Sequence, residues 1–185
     1  MAAKGFVGFV SNANHRSPDS IARFLLQALP FNFRAANPLP GLGVGVTAYG
    51  EAGEQSDLVG KIITDLVSRG FAHSDIVILS LRGMAHASLM SATRVGTHSL
   101  SRFSGNYDDL GNQIFSRGQV LYESVYRFKG QQAPAVIVTD IDPSDENLVL
   151  HWRLLMCACS RATVRLELLA SRTAAANRVL FEAAH

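Results

Sequence analysis

Strands and helices alternate along this chain, which predicts an α/β protein with a mainly parallel sheet covered on both faces. Two short apolar runs, Ile76–Leu79 and Val136–Val138, support that expectation, one following a helical stripe and the other preceding one. The third observation is size. A chain of 185 residues, 48% hydrophobic and 17% charged, fits one folded domain with a real core.

The elements follow in order. Ser17-Pro18-Asp19 reads as a helix start, with Ser as N-cap, Pro at the first helical position and an acid in the first turn. Ile21, Phe24, Leu25, Ala28 and Leu29 then form an apolar stripe. Residues 31–42 are rich in Pro and Asn and predict a loop, after which Val44, Val46 and Ala48 alternate as a strand does. Ser56 opens a second helix with a face of Leu58, Val59, Ile62, Ile63, Leu66 and Val67, and Gly70 ends it. Ile76–Leu79 predicts a buried strand. Residues 83–118 read as polar and irregular, with a short helix near Ala85–Met90. Strands are expected over Gln119–Ser124 and Ala135–Asp140, then a long helix from Ser144 to about Cys159. Val164–Leu169 predicts the last strand and Thr173–Ala184 a closing helix.

Composition narrows the function classes. The net charge of +2 is too mild to argue nucleic-acid binding by itself. Arg outnumbers Lys 14 to 3, which suits phosphate contacts but also follows from a GC-rich genome. No apolar run approaches a membrane span, and residues 1–10 are too short and Gly-broken for a signal peptide, so a cytoplasmic address is the expectation. Cys157 and Cys159 are two apart on a helix, match neither a redox nor a zinc spacing, and read as small core residues.

Three segments carry chemistry: Asn14-His-Arg-Ser17 before a helix, Ser124-Val-Tyr-Arg-Phe-Lys-Gly-Gln-Gln132 before a strand, and Met156-Cys-Ala-Cys-Ser-Arg-Ala162 between a helix and a strand. In this order they resemble the second RecA-like domain of superfamily 1 helicases, the UvrD/Rep/PcrA group. That group's patterns are Asn-Tyr-Arg-Ser, Thr-x-His-x-x-Lys-Gly-x-Glu and Tyr-Val-Ala-x-Thr-Arg-Ala. The resemblance covers nearly the whole chain. It implies a RecA-like three-layer α/β/α fold over residues 1–185, as the C-terminal motor domain of an ATP-dependent DNA helicase.

The resemblance also implies roles. Arg161 and Arg16 would face the γ-phosphate of ATP, where an Arg from a second lobe stabilises charge that develops on the phosphoryl oxygens. Position alone also allows Arg161 to be a surface residue favoured by the dipole at a helix C-terminus. His15 stands where the family has a base-stacking Tyr. Lys129, Gly130 and Gln132 would lie on the nucleotide side, with Gln132 replacing a ribose-contacting Glu. Ser124 and Tyr126 would meet single-stranded DNA, Ser124 by donating to a phosphate and Tyr126 in place of the family's His. Arg82, just after a strand, is either a further nucleic-acid contact or an ordinary surface residue.

Absences matter as much. Gly60-Lys61-Ile62 lacks the Ser/Thr and the glycine spacing of a phosphate loop and lies within a helix, and Gly41-Leu-Gly-Val-Gly45 is not a dinucleotide fingerprint. Asp140 and Asp142 suggest a metal-binding pair, but they read better as a strand end and the loop before a helix. No metal ligand is expected in this chain. The lobe that binds ATP, with its Mg2+, is expected to be absent, making the chain a fragment whose partners are that N-terminal lobe and single-stranded DNA. Only about 40 residues separate Arg82 from Ser124, too few for a large 2B insertion, which points to a compact branch of the family. Two rival readings are a catalytically degenerate module that binds single strands or a partner protein, and an unrelated metabolic α/β enzyme.

Overall fold

In a computed structural model that describes residues 12–184, the chain folds around a seven-stranded sheet. Residues 1–10, read above for a signal peptide, fall outside the described part. In chain order the elements are β1 (Ala13–Asn14), α1 (Asp19–Ala28), β2 (Arg34–Ala35), β3 (Val44–Tyr49), α2 (Gln55–Ser68), β4 (Ile76–Ser80), β5 (Arg94–Val95) and β6 (His98–Ser101). They continue with β7 (Phe103–Tyr107), β8 (Gln113–Phe115), β9 (Val120–Ser124), β10 (Ala133–Ile141), α3 (Leu148–Cys159), β11 (Ala162–Ser171) and α4 (Arg178–Ala183). The sheet order is β3-β11-β10-β4-β9-β6-β5. Every pairing from β3 to β6 is parallel, and only the β5–β6 edge pair is antiparallel. β1–β2 and β7–β8 form separate two-stranded ribbons.

Period-two alternation explains the layers. In β4, Val77 and Leu79 join one core with α1, α3 and α4, while Ile76 and Ile78 join a second core with α2. β10 divides in the same way, Val136 and Val138 against Ala135 and Ile137. Helices therefore cover both faces, as the sequence predicts. The stripes on α1 and α2 lie inward: Ile21, Phe24, Leu25, Ala28 and Leu29 are all buried, as are Val59, Ile63 and Leu66. Gly70 takes a left-handed φ of 97° just past α2, the conformation that ends a helix at glycine.

Four boundaries differ from expectation. Ser17 does not cap α1. Its backbone N–H and that of Arg16 donate to Asn14 Oδ1, and Asn14 Nδ2 donates to the Ser17 hydroxyl, so Pro18 becomes the capping position. The first helical N–H groups find tertiary acceptors instead, Asp19 on Leu39 O and Ser20 on Pro40 O. Ser144 precedes a 3-10 turn (Asp145–Asn147), and α3 begins only at Leu148. The closing helix likewise opens with a 3-10 turn at Ala175–Asn177. The largest correction concerns residues 83–118. This stretch contains four strands, and only a 3-10 turn at Met84–His86 stands where a short helix was expected. Its backbone is satisfied by pairing with β9 and by the β7–β8 hairpin rather than by helical hydrogen bonds.

Candidate functional site

Because β3, β11, β10, β4, β9 and β6 run parallel, all their N-termini lie along one edge of the sheet and all their C-termini along the other. The sequence-predicted residues divide between these edges.

At the N-terminal edge, Arg161 immediately precedes β11 and Gln132 immediately precedes β10. The starts of these two strands are tied together: Ala133 N–H donates to Arg161 O at 3.0 Å, and Arg161 Nη1 donates to Gln131 O at 3.3 Å. Arg161 Nε also donates to Cys157 O at 3.0 Å and Nη2 to Ser160 Oγ at 3.2 Å. The guanidinium thus lies over the last carbonyls of α3, where the helix dipole favours a cation. Beside it opens a cleft of about 640 Å³, lined on one side by Asn14, His15 and Arg16 and on the other by Met156 and Ser160. His15 and Arg16 are exposed. Among the described residues the Arg16 guanidinium makes no hydrogen bond or ion pair, while its backbone carbonyl is held by Asn37 Nδ2. The sequence marked Asn14 as the first residue of the Asn14–Ser17 motif but carried no signal for Asn37, which holds the Arg16 carbonyl.

At the C-terminal edge, Ser124 closes β9 opposite Ser80, the last residue of β4. Ser124 is only 4% exposed, and its Oγ accepts from Arg127 N–H at 3.4 Å. As placed, it forms part of the turn that leaves β9 rather than an open donor. Tyr126 is 55% exposed. Arg82 reaches Asp142, Nη2 to Oδ2 at 3.3 Å, a half-exposed ion pair beside a pocket of about 280 Å³ that also contains Asp140, Ser144 and His151. Burial depresses His151 from the usual 6.5 to about 4, with Asp142 opposing the shift and Arg82 adding to it. Its Nε2 has no partner among the described residues.

Asp140 is the last residue but one of β10, one short of the strand end that the sequence predicts it to be, and it also has a role that sequence reasoning missed. It is 2% exposed with a left-handed φ of 61°. Its carboxylate accepts from Ser80 Oγ at 2.6 Å, Ser88 N–H at 3.2 Å and Gln55 Nε2 at 3.3 Å, while its own N–H donates to Gln55 Oε1 at 2.9 Å. One buried carboxylate thereby fastens β4, β10, the start of α2 and the loop after β4. Nearby burial and this carboxylate raise the Tyr122 phenol, and burial with Asp142 and Asp140 raises Tyr49. Among the described residues no group of three or more His, Cys, Asp or Glu is placed to hold a metal ion.

Between the edges runs the eight-residue segment 125–132. Val125 and Phe128 are buried in the core shared with α1 and α3, whereas Lys129, Gly130, Gln131 and Gln132 are exposed. Gly130 has a φ of 89°, which glycine adopts without strain, and nothing crowds it. Gly60 and Lys61 lie inside α2, away from any phosphate-loop geometry.

Among solved structures, the C-terminal domain of a possible DNA helicase from Lactobacillus plantarum WCFS1 matches with a TM-score of 0.53 over 92% of this chain and 94% of that one. The two share one fold. Their sequences are 22% identical. No protein-family profile matches the chain, and no curated protein matches it by sequence. Among the described residues no helix is long and apolar enough to cross a membrane.

Proposed function

We propose that this chain is the C-terminal RecA-like lobe of a superfamily 1, ATP-dependent DNA helicase, working in the cytoplasm beside an N-terminal lobe that carries the phosphate loop. One observation carries the reading. The residues matched to nucleotide contacts and those matched to strand contacts fall on opposite edges of one parallel sheet, joined by segment 125–132. The shared fold with a domain described as part of a possible DNA helicase adds support.

The residues present suit the outer end of a nucleotide. Arg16 is exposed at a cleft of about 640 Å³, its guanidinium without a partner among the described residues, with His15 on the same rim. ATP, held mainly by the other lobe with its Mg2+, would supply the bond that is broken. This chain would contribute Arg16 and Arg161 as cations at the terminal phosphate and His15 as a ring for the base. Lys129, Gly130 and Gln132 would border the sugar. Arg161 must first give up its bonds to Gln131 O and Cys157 O, which makes lobe closure a condition for its use. At the far edge Tyr126 and Arg82 would meet single-stranded DNA, with Ser124 reachable only if the 124–127 turn opens.

The test joins the chain to a phosphate-loop lobe and measures single-strand-stimulated ATP hydrolysis. Arg161→Ala should lower turnover by about 10³-fold or more, the usual worth of an arginine supplied in trans. Substantial hydrolysis by the 185-residue chain alone would overturn the proposal. A second reading, a degenerate module that binds strands or a partner without catalysis, draws on the engaged guanidinium of Arg161 and on His15, Tyr126 and Gln132, which depart from the family pattern. An Arg161-dependent ATPase in the joined protein would reject it.

A further inference from the structure

Between β6 and β9 the chain leaves the sheet as the β7–β8 hairpin, and the aromatic side chains of that hairpin belong to neither core. Phe103 at its root meets Tyr107 and Phe115 edge to face, with ring centroids 5.3 and 6.1 Å apart. Tyr107 is 58% exposed and Phe115 is exposed as well. A cluster of rings left open to water marks an interaction site more often than a packing accident.

The root is held firmly. The Arg102 guanidinium donates to the carbonyls of Leu89, Met90 and Ala92 and lies 4.9 Å from the Tyr122 ring centroid. Arg127 lies 4.3 Å from the Phe103 centroid. Between them opens a groove of about 240 Å³ bordered by Met84, Phe103, Glu123 and Arg127. Among the described residues, Glu123 is the only carboxylate lining that groove. Its Oε1 already accepts the Ser124 N–H at 2.9 Å and lies 4.0 Å from Arg127 Nε, so its charge is partly met within the groove. The groove sits at the C-terminal edge, where Glu123 stands next to Ser124, and its Arg127 is exposed beside the exposed Tyr126 in sequence.

We propose that this hairpin root is a base-stacking site for single-stranded nucleic acid, with Tyr107, Phe115 and Tyr126 supplying the rings and Arg127 following the phosphates. The inference rests on the proposal that the C-terminal edge meets the strand, and it names what holds the bases there. A single strand offers a π-face and a phosphate at every step, which is what alternating rings and cations recognise. An apolar protein partner would instead engage the aliphatic end of the hairpin, where Leu110 and Ile114 are exposed.

The test is fluorescence anisotropy at low salt, using the 185-residue chain, a labelled oligothymidine and an abasic oligomer of equal length. The unmodified chain should bind the thymidine oligomer more tightly. Tyr107→Ala with Phe115→Ala should weaken that binding by about fivefold or more, as loss of base stacking does, and leave the abasic oligomer within about twofold. Leu110→Ser with Ile114→Ser should leave both unchanged. Tyr107→Trp should retain binding, and its indole should be quenched by the thymidine oligomer but not by the abasic one, above a constant emission from the buried Trp152 that the unmodified chain measures alone. Equal binding of both oligomers, with Arg82→Ala weakening both, would overturn the hairpin proposal and leave the strand-contacting edge intact. Binding of neither oligomer would overturn both. If the alanine variants fail to fold, the indole decides, and no base-dependent quenching refutes the site. Weakening by the Leu110 and Ile114 changes instead would assign the hairpin to a protein contact.

Discussion

Asp140→Ala should be among the most damaging single substitutions in this domain. The carboxylate is 2% exposed and accepts from Ser80, Ser88 and Gln55. Ser80 Oγ has a second acceptor in Arg82 O at 3.1 Å, so its loss is cushioned. Ser88 N–H, half-buried, and Gln55 Nε2, buried, have none among the described residues, and a donor left unpaired away from water costs about 1–3 kcal/mol, less where water can reach it. Alanine also fits the left-handed backbone worse than aspartate, by roughly 1 kcal/mol. Removing a desolvated charge offsets part of this, leaving a net loss of about 3 kcal/mol. In a domain of this length that lowers Tm by roughly 6–12 °C. Asp140→Asn keeps one acceptor and a side chain that tolerates the left-handed region, and should cost about 1 kcal/mol. Asp140→Gly loses the same hydrogen bonds as alanine without the backbone strain, and should be no worse. Urea unfolding followed by circular dichroism at pH 7, with unchanged m-values, measures all three. An Asp140→Ala protein within about 1 kcal/mol of the parent, or a glycine variant clearly less stable than the alanine one, would refute this reasoning.

Gly60 packs α2 against the β5–β6 turn, and a Cβ there would lie 3.0 Å from Gly96 N and 3.1 Å from Val95 C. Both are backbone atoms, so Gly60→Ala should destabilise by about 1–3 kcal/mol from overpacking, despite alanine's better helix propensity, and denaturant unfolding checks the sign. The pH profile should show His151, whose folded-state value near 4 lies below its usual 6.5. The unfolded chain takes up the proton first, so this contribution is complete above about pH 6.5 and is lost as pH falls toward 4, with a slope no steeper than about 1.4 kcal/mol per pH unit. His151→Phe should flatten the profile of Tm against pH in that window, and an unchanged slope would show that the imidazole is not responsible.

The sheet was legible where apolar residues ran unbroken. β4 and β10 are buried on both faces, and such strands read as continuous runs of Ile, Val and Leu. β5 to β8 were not legible, because they are two to five residues long and mostly polar or exposed. They persist through cross-strand pairing and the Arg102 clamp, neither of which leaves a periodic signal. Ser17 followed a sound capping rule, but Asn14, three residues earlier, holds the Ser17 hydroxyl and backbone, and the first helical N–H groups turn to Leu39 O and Pro40 O. Of the candidate site, the Arg161 and Gln132 positions at strand starts could be read from chain order alone. The role of Asp140 could not. Asp-Ile-Asp-Pro looks like any strand-to-loop junction, and the partner that explains it, Gln55, lies 85 positions away.

The anatomy of segment 125–132 constrains how two edges of one sheet could communicate. Val125 and Phe128 are 2% and 3% exposed, locked into the same core as α1 and α3. Gly130 follows, with a left-handed φ and nothing within 4 Å of where a Cβ would stand. A pull on Gln131 or Gln132, such as that exerted when Arg161 changes partners, would bend the chain at Gly130 before it displaced Ser124. A local wire through this segment is therefore the weaker mechanism. The β10–β11 pairing offers a stiffer path, because Gln132 and Arg161 lead directly into strands nine and ten residues long that end at Ile141 and Ser171 on the far edge. If the chain serves as a motor lobe, closure at one edge should move the other as a rigid body, with the whole sheet as the lever.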